Sequence, residues 1–183
     1  MKTALILIDI QQDYFDGGKN PLEGSREASQ MAARLLEHFR SKKMPIVHIR
    51  HISLGSDASF FQANTSGADF HPDVAPFSSE FIIEKHAPNS FLGTGLSDIL
   101  NQIKAERLVL AGMMTHMCVD ATVRAASDYG FDCWLVHDAC ATKELVFDNH
   151  KIPARQVHSA FLAALRDGYA RVMASEQILA ELS

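Results

Sequence analysis

Cys118 is the residue of this chain best placed to do chemistry. It lies in LVLAGMMTHMCVDATVRAA, where an apolar run (Leu108–Ala111) passes through a glycine-containing turn into a helical pattern that begins near the cysteine. The reactive form of cysteine is the thiolate, and the partial positive charge of a helix start lowers a thiol pKa. The same backbone N–H groups can hold a developing oxyanion. The alternative is a buried, inert cysteine, which is how Cys133, inside another apolar run, is read; Cys140 is given no role. On this reading Cys118 alkylates with iodoacetamide even at mildly acidic pH.

Two further residues could complete a nucleophilic site. Asp9 directly follows the apolar run ALILI, at the carboxyl end of a buried strand, where open α/β sheets bind their ligands. A helix cap or turn residue is the alternative. Lys85 ends FIIEK between Glu84 and His86, and a solvated loop lysine is the default reading of that context. Together the three groups make chemical sense. Asp9 could take the thiol proton, and Lys85 could favour the thiolate and hold the carboxylate. An adjacent ammonium depresses a carboxyl pKa while burial raises it, and the sequence leaves that balance open.

These groups need a frame to meet. Near-continuous apolar runs at Ala4–Ile8, Pro45–Ile49, Phe81–Ile83, Arg107–Ala111, Cys133–Val136 and Arg171–Met173 suit strands buried on both faces of a sheet. Helical patterns lie between them: Ser25–Lys42, a segment after Thr94, Cys118–Tyr129 ending at Gly130, a segment after Pro153, and Glu176–Leu182. The alternation predicts a single α/β domain over residues 1–183, doubly wound around a mostly parallel sheet. Ser53–Ser79 breaks the rhythm, and loops that long are usually functional. Its Phe60, Phe61 and Phe70 could roof a pocket, or pack the loop onto the body or another subunit.

Composition excludes several classes. The net charge of -5 over 183 residues offers no cationic excess for phosphates, so no nucleic-acid partner is expected. No apolar stretch is long enough to span a bilayer, so no membrane partner is expected either. The N-terminal apolar run ends at Asp9 without a cleavage site, and three cysteines without CxxC spacing fit a reducing, cytoplasmic setting. Nine histidines raise the question of a metal hydrolase, but HxxxH and HExxH are absent. GSREAS after the first strand is no dinucleotide fingerprint. No cofactor is expected.

The ordered segments LILIDIQQDYF (5–15), FHPDVAP (70–76), IIEKHAPNSFLGTGL (82–96), LAGMMTHMCVDATVRAASDYGF (110–131) and VHDACAT (136–142) are specific in order and spacing. In these the chain resembles the isochorismatase-like cysteine hydrolases over nearly its whole length. The resemblance implies a six-stranded parallel sheet flanked by helices and an Asp–Lys–Cys triad falling on Asp9, Lys85 and Cys118. It implies a non-proline cis peptide at Met113–Met114, aiming the Met114 N–H, with that of Cys118, at an oxyanion. It also puts a pocket aromatic on Tyr14 and a motif glutamine on Gln11. Gln11, His51 and Phe91 join Tyr14 as substrate-binding candidates.

Metal-dependent relatives carry an Asp-x-His pair after the second strand. In VHIRHIS the matching positions hold His51 and Ser53, and His71 alone cannot hold a metal, so no metal site is expected. His51 lines the pocket or is a locally capped loop histidine. The cysteine favours hydrolysis of a C–N bond in a small amide, ureide or N-carbamoyl compound. The alternatives are a vinyl-ether hydrolase and a non-catalytic binding module. A homodimer or homotetramer is expected.

Overall fold

The computed structural model describes residues 1–55 and 57–183; Ser56, in the long loop, lies outside the described residues. Six strands form one parallel sheet: β1 (Thr3–Ile8), β2 (Ile46–His51), β3 (Phe81–Lys85), β4 (Arg107–Met113), β5 (Asp132–Ala141) and, at the far edge, a strand Arg171–Met173. A short antiparallel hairpin, β6 (Leu145–Phe147) with β7 (His150–Ile152), makes that edge strand β8. The order is β3-β2-β1-β4-β5-β8. Strand order reverses between β1 and β4, and the crevice beyond their carboxyl ends is the ligand position of such sheets.

The apolar alternation along β1 explains the layers. Leu5 and Leu7 pack on one face with Leu35, Leu36 and Phe39 of α1 (Ser25–Ser41), and with Ile178 of a C-terminal helix, Ser175–Glu181. Ala4, Ile6 and Ile8 face the other side, with Leu96 and Leu100 of α2 (Leu96–Gln102), Val123 of α3 (Asp120–Asp128) and Leu165 of α4 (Ala154–Arg166). A strand buried on both sides can carry apolar residues at successive positions, as β1 does from Ala4 to Ile8.

Several elements run past the apolar signal. β2 and β3 continue to His51 and Lys85, because ladder pairing through Ile49–Ile83, Arg50–Glu84 and His51–Lys85 holds their polar ends. β5 extends to Ala141 across a register irregularity: Leu110 pairs with Leu135, but Gly112 pairs with Cys140. The 145–152 hairpin had no apolar alternation strong enough to announce it. The helical pattern at Cys118 opens with a wide turn, Thr115–Val119, before α3 proper.

One glycine is essential to the crevice. Gly112 has φ +139°, and a Cβ there would lie 2.0 Å from the Ile8 carbonyl oxygen. Its bareness lets β4 approach the end of β1 just before Asp9. Gly112→Ala is expected to cost about 3 kcal/mol through strain and overpacking against rigid backbone. Urea denaturation of the variant checks this; an unchanged midpoint would show that the strands separate without cost.

Candidate active site

Three strand ends and one turn deliver the site. Asp9 follows β1 in the left-handed region (φ 50°), a conformation that aspartate tolerates better than most residues. Its N–H donates to the Ile49 carbonyl of β2 at 3.1 Å, and its own carbonyl accepts from Gln11 N–H at 3.0 Å. Lys85 ends β3, two strands away, and its long stem reaches across the end of β2. His51 ends β2 and pairs in register with Lys85. Cys118 sits in the wide turn after β4, which follows the cis peptide Met113–Met114.

The Lys85 ammonium is the centre of this group. Its Nζ lies 2.8 Å from Asp9 Oδ2, 3.0 Å from His51 Nδ1, 3.0 Å from the Ala87 carbonyl oxygen and 3.1 Å from Cys118 Sγ. Asp9, Lys85 and Cys118 are 0 %, 1 % and 5 % exposed, so the ion pair is desolvated and its partners must come from the protein. An ammonium has three protons for these four neighbours. The thiol is the neighbour that can also donate, so it need not take one while protonated.

The same geometry bears on metal binding. Among the described residues, the one cluster with ligand-like spacing is Asp9, His51 and Cys118, whose ligand atoms lie within 4.8 Å of one another. Lys85 Nζ contacts all three and already supplies the positive charge a cation would bring. His71 is elsewhere, stacked on Phe15 at 3.8 Å and 3.5 Å from Asp73. Ser53 pairs with the loop, its N–H donating to the Phe61 carbonyl at 2.9 Å.

Burial decides the protonation states. It raises the Asp9 carboxyl pKa above its ordinary value, against the opposing pull of Lys85 and of a hydrogen bond from Cys118. Burial lowers the Lys85 pKa, but the Asp9 and Cys118 charges outweigh it and the net direction is upward. The Cys118 thiol is raised, first by burial and then by the Asp9 carboxylate, with Lys85 pulling down less strongly. This corrects the expectation of a depressed thiol pKa. Cys118 is the fourth residue of its turn rather than the first of a helix, and it is sealed beside a carboxylate. The resting thiol is protonated, and alkylation at mildly acidic pH should be slow.

Asp9→Asn separates the two charges that act on the sulfur. It removes the group that raises the thiol pKa and leaves Lys85, which lowers it. Thiolate absorbance should therefore appear at lower pH in Asp9→Asn than in the native protein, and iodoacetamide should react faster at a given pH. A thiol that titrated unchanged would show that the carboxylate does not act on the sulfur.

The remaining residues divide. Tyr14 is 1 % exposed and close enough for the Asp9 and Cys118 charges to raise its pKa further, after burial. Phe61 packs edge-on to Tyr14 at 4.6 Å and lies 6.0 Å from His51. Phe60 joins them, 4.9 Å from Phe61. Phe70 instead lies over β2, against His48 and Arg50.

Two substrate-binding candidates are placed differently from expectation. Gln11 is fully buried, with Nε2 donating to the carbonyls of His51 and Ala68 at 2.9 Å each and Oε1 accepting from His51 N–H at 2.7 Å. It clamps the end of β2 to the long loop, and both its amide protons are used. Phe91 is buried, its ring against those of Tyr129 (5.1 Å) and Phe131 (6.4 Å), so its face is taken up by other aromatic rings.

Sequence reasoning did not single out Asp13 or Ala87. Asp13 Oδ2 accepts from Phe61 N–H at 2.7 Å and Oδ1 from Lys19 N–H at 3.1 Å, so it ties the long loop at Phe61 to the segment after β1. Its place in the QQDYF segment beside Tyr14 was the available signal. The Ala87 carbonyl contributes only backbone, for which no side-chain signal exists.

Comparison with known proteins agrees with this geometry. The Isochorismatase domain model matches residues 3–177. The chain is 48% identical over 179 residues to the isochorismatase family protein YddQ of Bacillus subtilis, covering 98% of this chain and 99% of that protein. It is 29% identical to a maleamate amidohydrolase of Pseudomonas putida, covering 99% of this chain and 87% of that one. An isochorismatase hydrolase structure from Oleispira antarctica superposes with a TM-score of 0.95 at 45% identity, covering 98% of this chain and 96% of that chain. The strand order, the charged cluster at its reversal and these matches lead to one assignment: the chain belongs to the isochorismatase family and is a hydrolase of that family.

Proposed function

We propose that this hydrolase cleaves a C–N bond of a small amide, ureide or N-carbamoyl compound through a Cys118 thioester. The observation that carries the reading is the single ammonium, Lys85, within 3.1 Å of both a buried carboxylate and a buried thiol. A non-catalytic module has no use for an ion pair sealed against a thiol, since burying the charges is costly. The amidohydrolase among the relatives supports C–N chemistry for this chain.

Asp9, its pKa raised by burial, is a stronger base than an exposed carboxylate. It takes the Cys118 proton as the thiolate attacks the carbonyl carbon. Lys85 then shifts its charge from a carboxylate that has become neutral to a sulfur that has become anionic. The Met114 carbonyl is occupied by the amides of Met117 (3.0 Å) and Val119 (3.2 Å), not by that of Cys118 between them. The Cys118 and Met114 N–H groups serve the oxyanion. Collapse breaks the C–N bond, and Asp9 gives its proton to the departing nitrogen. Water then loses a proton to Asp9 and attacks the thioester. The acid leaves, and the returning proton regenerates the thiol.

The test is a rapid-quench mass measurement with a panel of small amides and ureides. A mass increase on the Cys118 peptide equal to the acyl fragment, together with ammonia or amine release, is expected. Turnover of a panel member with no acyl adduct at any quench time would overturn the covalent route.

A further inference from the structure

The role of His51 follows from the ammonium beside it. Its Nδ1 is 3.0 Å from Lys85 Nζ, a group that only donates, so Nδ1 must be the acceptor and carry no proton. The ring proton is therefore on Nε2. Burial first, then the Lys85 and His86 charges, hold the ring neutral, with a pKa of about 4. Nε2 has no hydrogen-bond partner among the described protein atoms, and it is not among the polar atoms sealed from solvent. The half-buried ring is fixed at its backbone by Gln11 on both the N–H and the carbonyl. One of its two ring nitrogens lies within 4.8 Å of Cys118 Sγ and an Asp9 carboxylate oxygen, so the ring as a whole stands beside the nucleophile.

We propose that His51 is a specificity-determining residue whose Nε2–H donates to an uncharged oxygen acceptor on the substrate, next to the carbonyl that Cys118 attacks. This rests on the reading of the site as an amide hydrolase. The ring can offer a proton but accept none, so it favours a second carbonyl or a ureido oxygen in that position and disfavours an amine or ammonium group. The ammonium beside the ring, Lys85, is already matched by Asp9 and is not left over for a substrate carboxylate. The favoured class is a small neutral amide with an adjacent carbonyl-type oxygen. Lys85 thus has a second role, setting the tautomer that reads the substrate.

The experiment compares pairs of amides that differ in whether the group beside the scissile carbonyl is a carbonyl oxygen or an amine. In the native protein the carbonyl member is expected to have the lower KM by about tenfold, the typical worth of one hydrogen bond. Replacing His51 by Nε2-methylhistidine keeps the Nδ1 contact with Lys85 but removes the donor. KM for the carbonyl member should rise about tenfold, with kcat changed far less, and the discrimination should vanish. His51→Gln, which can accept from Lys85 and still donate, should restore part of it. Native-like discrimination in the methylated protein would overturn the assignment of His51 while acylation of Cys118 continued. Failure of every amide to acylate Cys118 would instead overturn the hydrolase reading, and this inference with it.

Discussion

Cys118→Ala is expected to lose turnover by about 10⁴-fold or more while keeping the native fold. No other described group in the cluster can form the acyl intermediate: the Asp9 carboxylate beside it holds Lys85 protonated, and Asp9 is the base. The structural cost is small. The sulfur is replaced by hydrogen at the margin of the buried apolar cluster that also holds Val119 and Val123, and the loss is about 1 kcal/mol. The measurement is amine release with the most active panel substrate, alongside a thermal melt. Native-like turnover in a folded Cys118→Ala protein would remove covalent catalysis altogether.

Lys85→Met should give the largest loss of stability, about 3–5 kcal/mol near neutral pH, and abolish activity as well. The methionine fills much of the same volume, so packing is not the main term. The cost is that Asp9, fully buried, loses the partner at 2.8 Å that compensates its charge, and His51 Nδ1 and the Ala87 carbonyl lose their donor. The sign of the pH dependence follows. Burial already raises the Asp9 pKa with Lys85 present, and without the lysine's downward pull it rises further. A carboxyl whose folded pKa exceeds its unfolded value loses stability as pH rises above that ordinary value of 3.8. The gap between Lys85→Met and the native protein should therefore be small in acid and widen toward neutrality. Urea titrations at several pH values measure it. A gap that stayed constant with pH would mean that Asp9 is not the group left uncompensated.

Lys85 also marks where local reading ends. As a sequence feature it is a lysine between a glutamate and a histidine, indistinguishable from a solvated loop residue. Only strand order makes it central, because β3 lies two strands from β1 and the side chain must cross β2 to reach Asp9. His51 is similar: which nitrogen holds its proton depends on a partner 34 positions away. Gln11 and Phe91 show the converse. Each stands in a motif with a pocket-lining appearance, yet each is spent on the scaffold, one on backbone carbonyls and one on the aromatic core.

What the amino-acid order by itself determined was periodic and local. Apolar runs set the strands, 3.6-residue patterns set the helices, and their alternation set a doubly wound parallel sheet, because those signals arise from neighbours along the chain. It also placed Asp9 at a strand end and Cys118 in the turn after another. The tertiary structure decided everything that depends on groups distant in sequence meeting without water. It joined thiol, carboxylate, ammonium and imidazole at one point, and it let burial rather than the helix start govern the thiol. It also chose which candidates face the crevice. Desolvation and Coulomb energy scale with spatial separation and depth, and neither quantity is a property of a residue's neighbours in the chain.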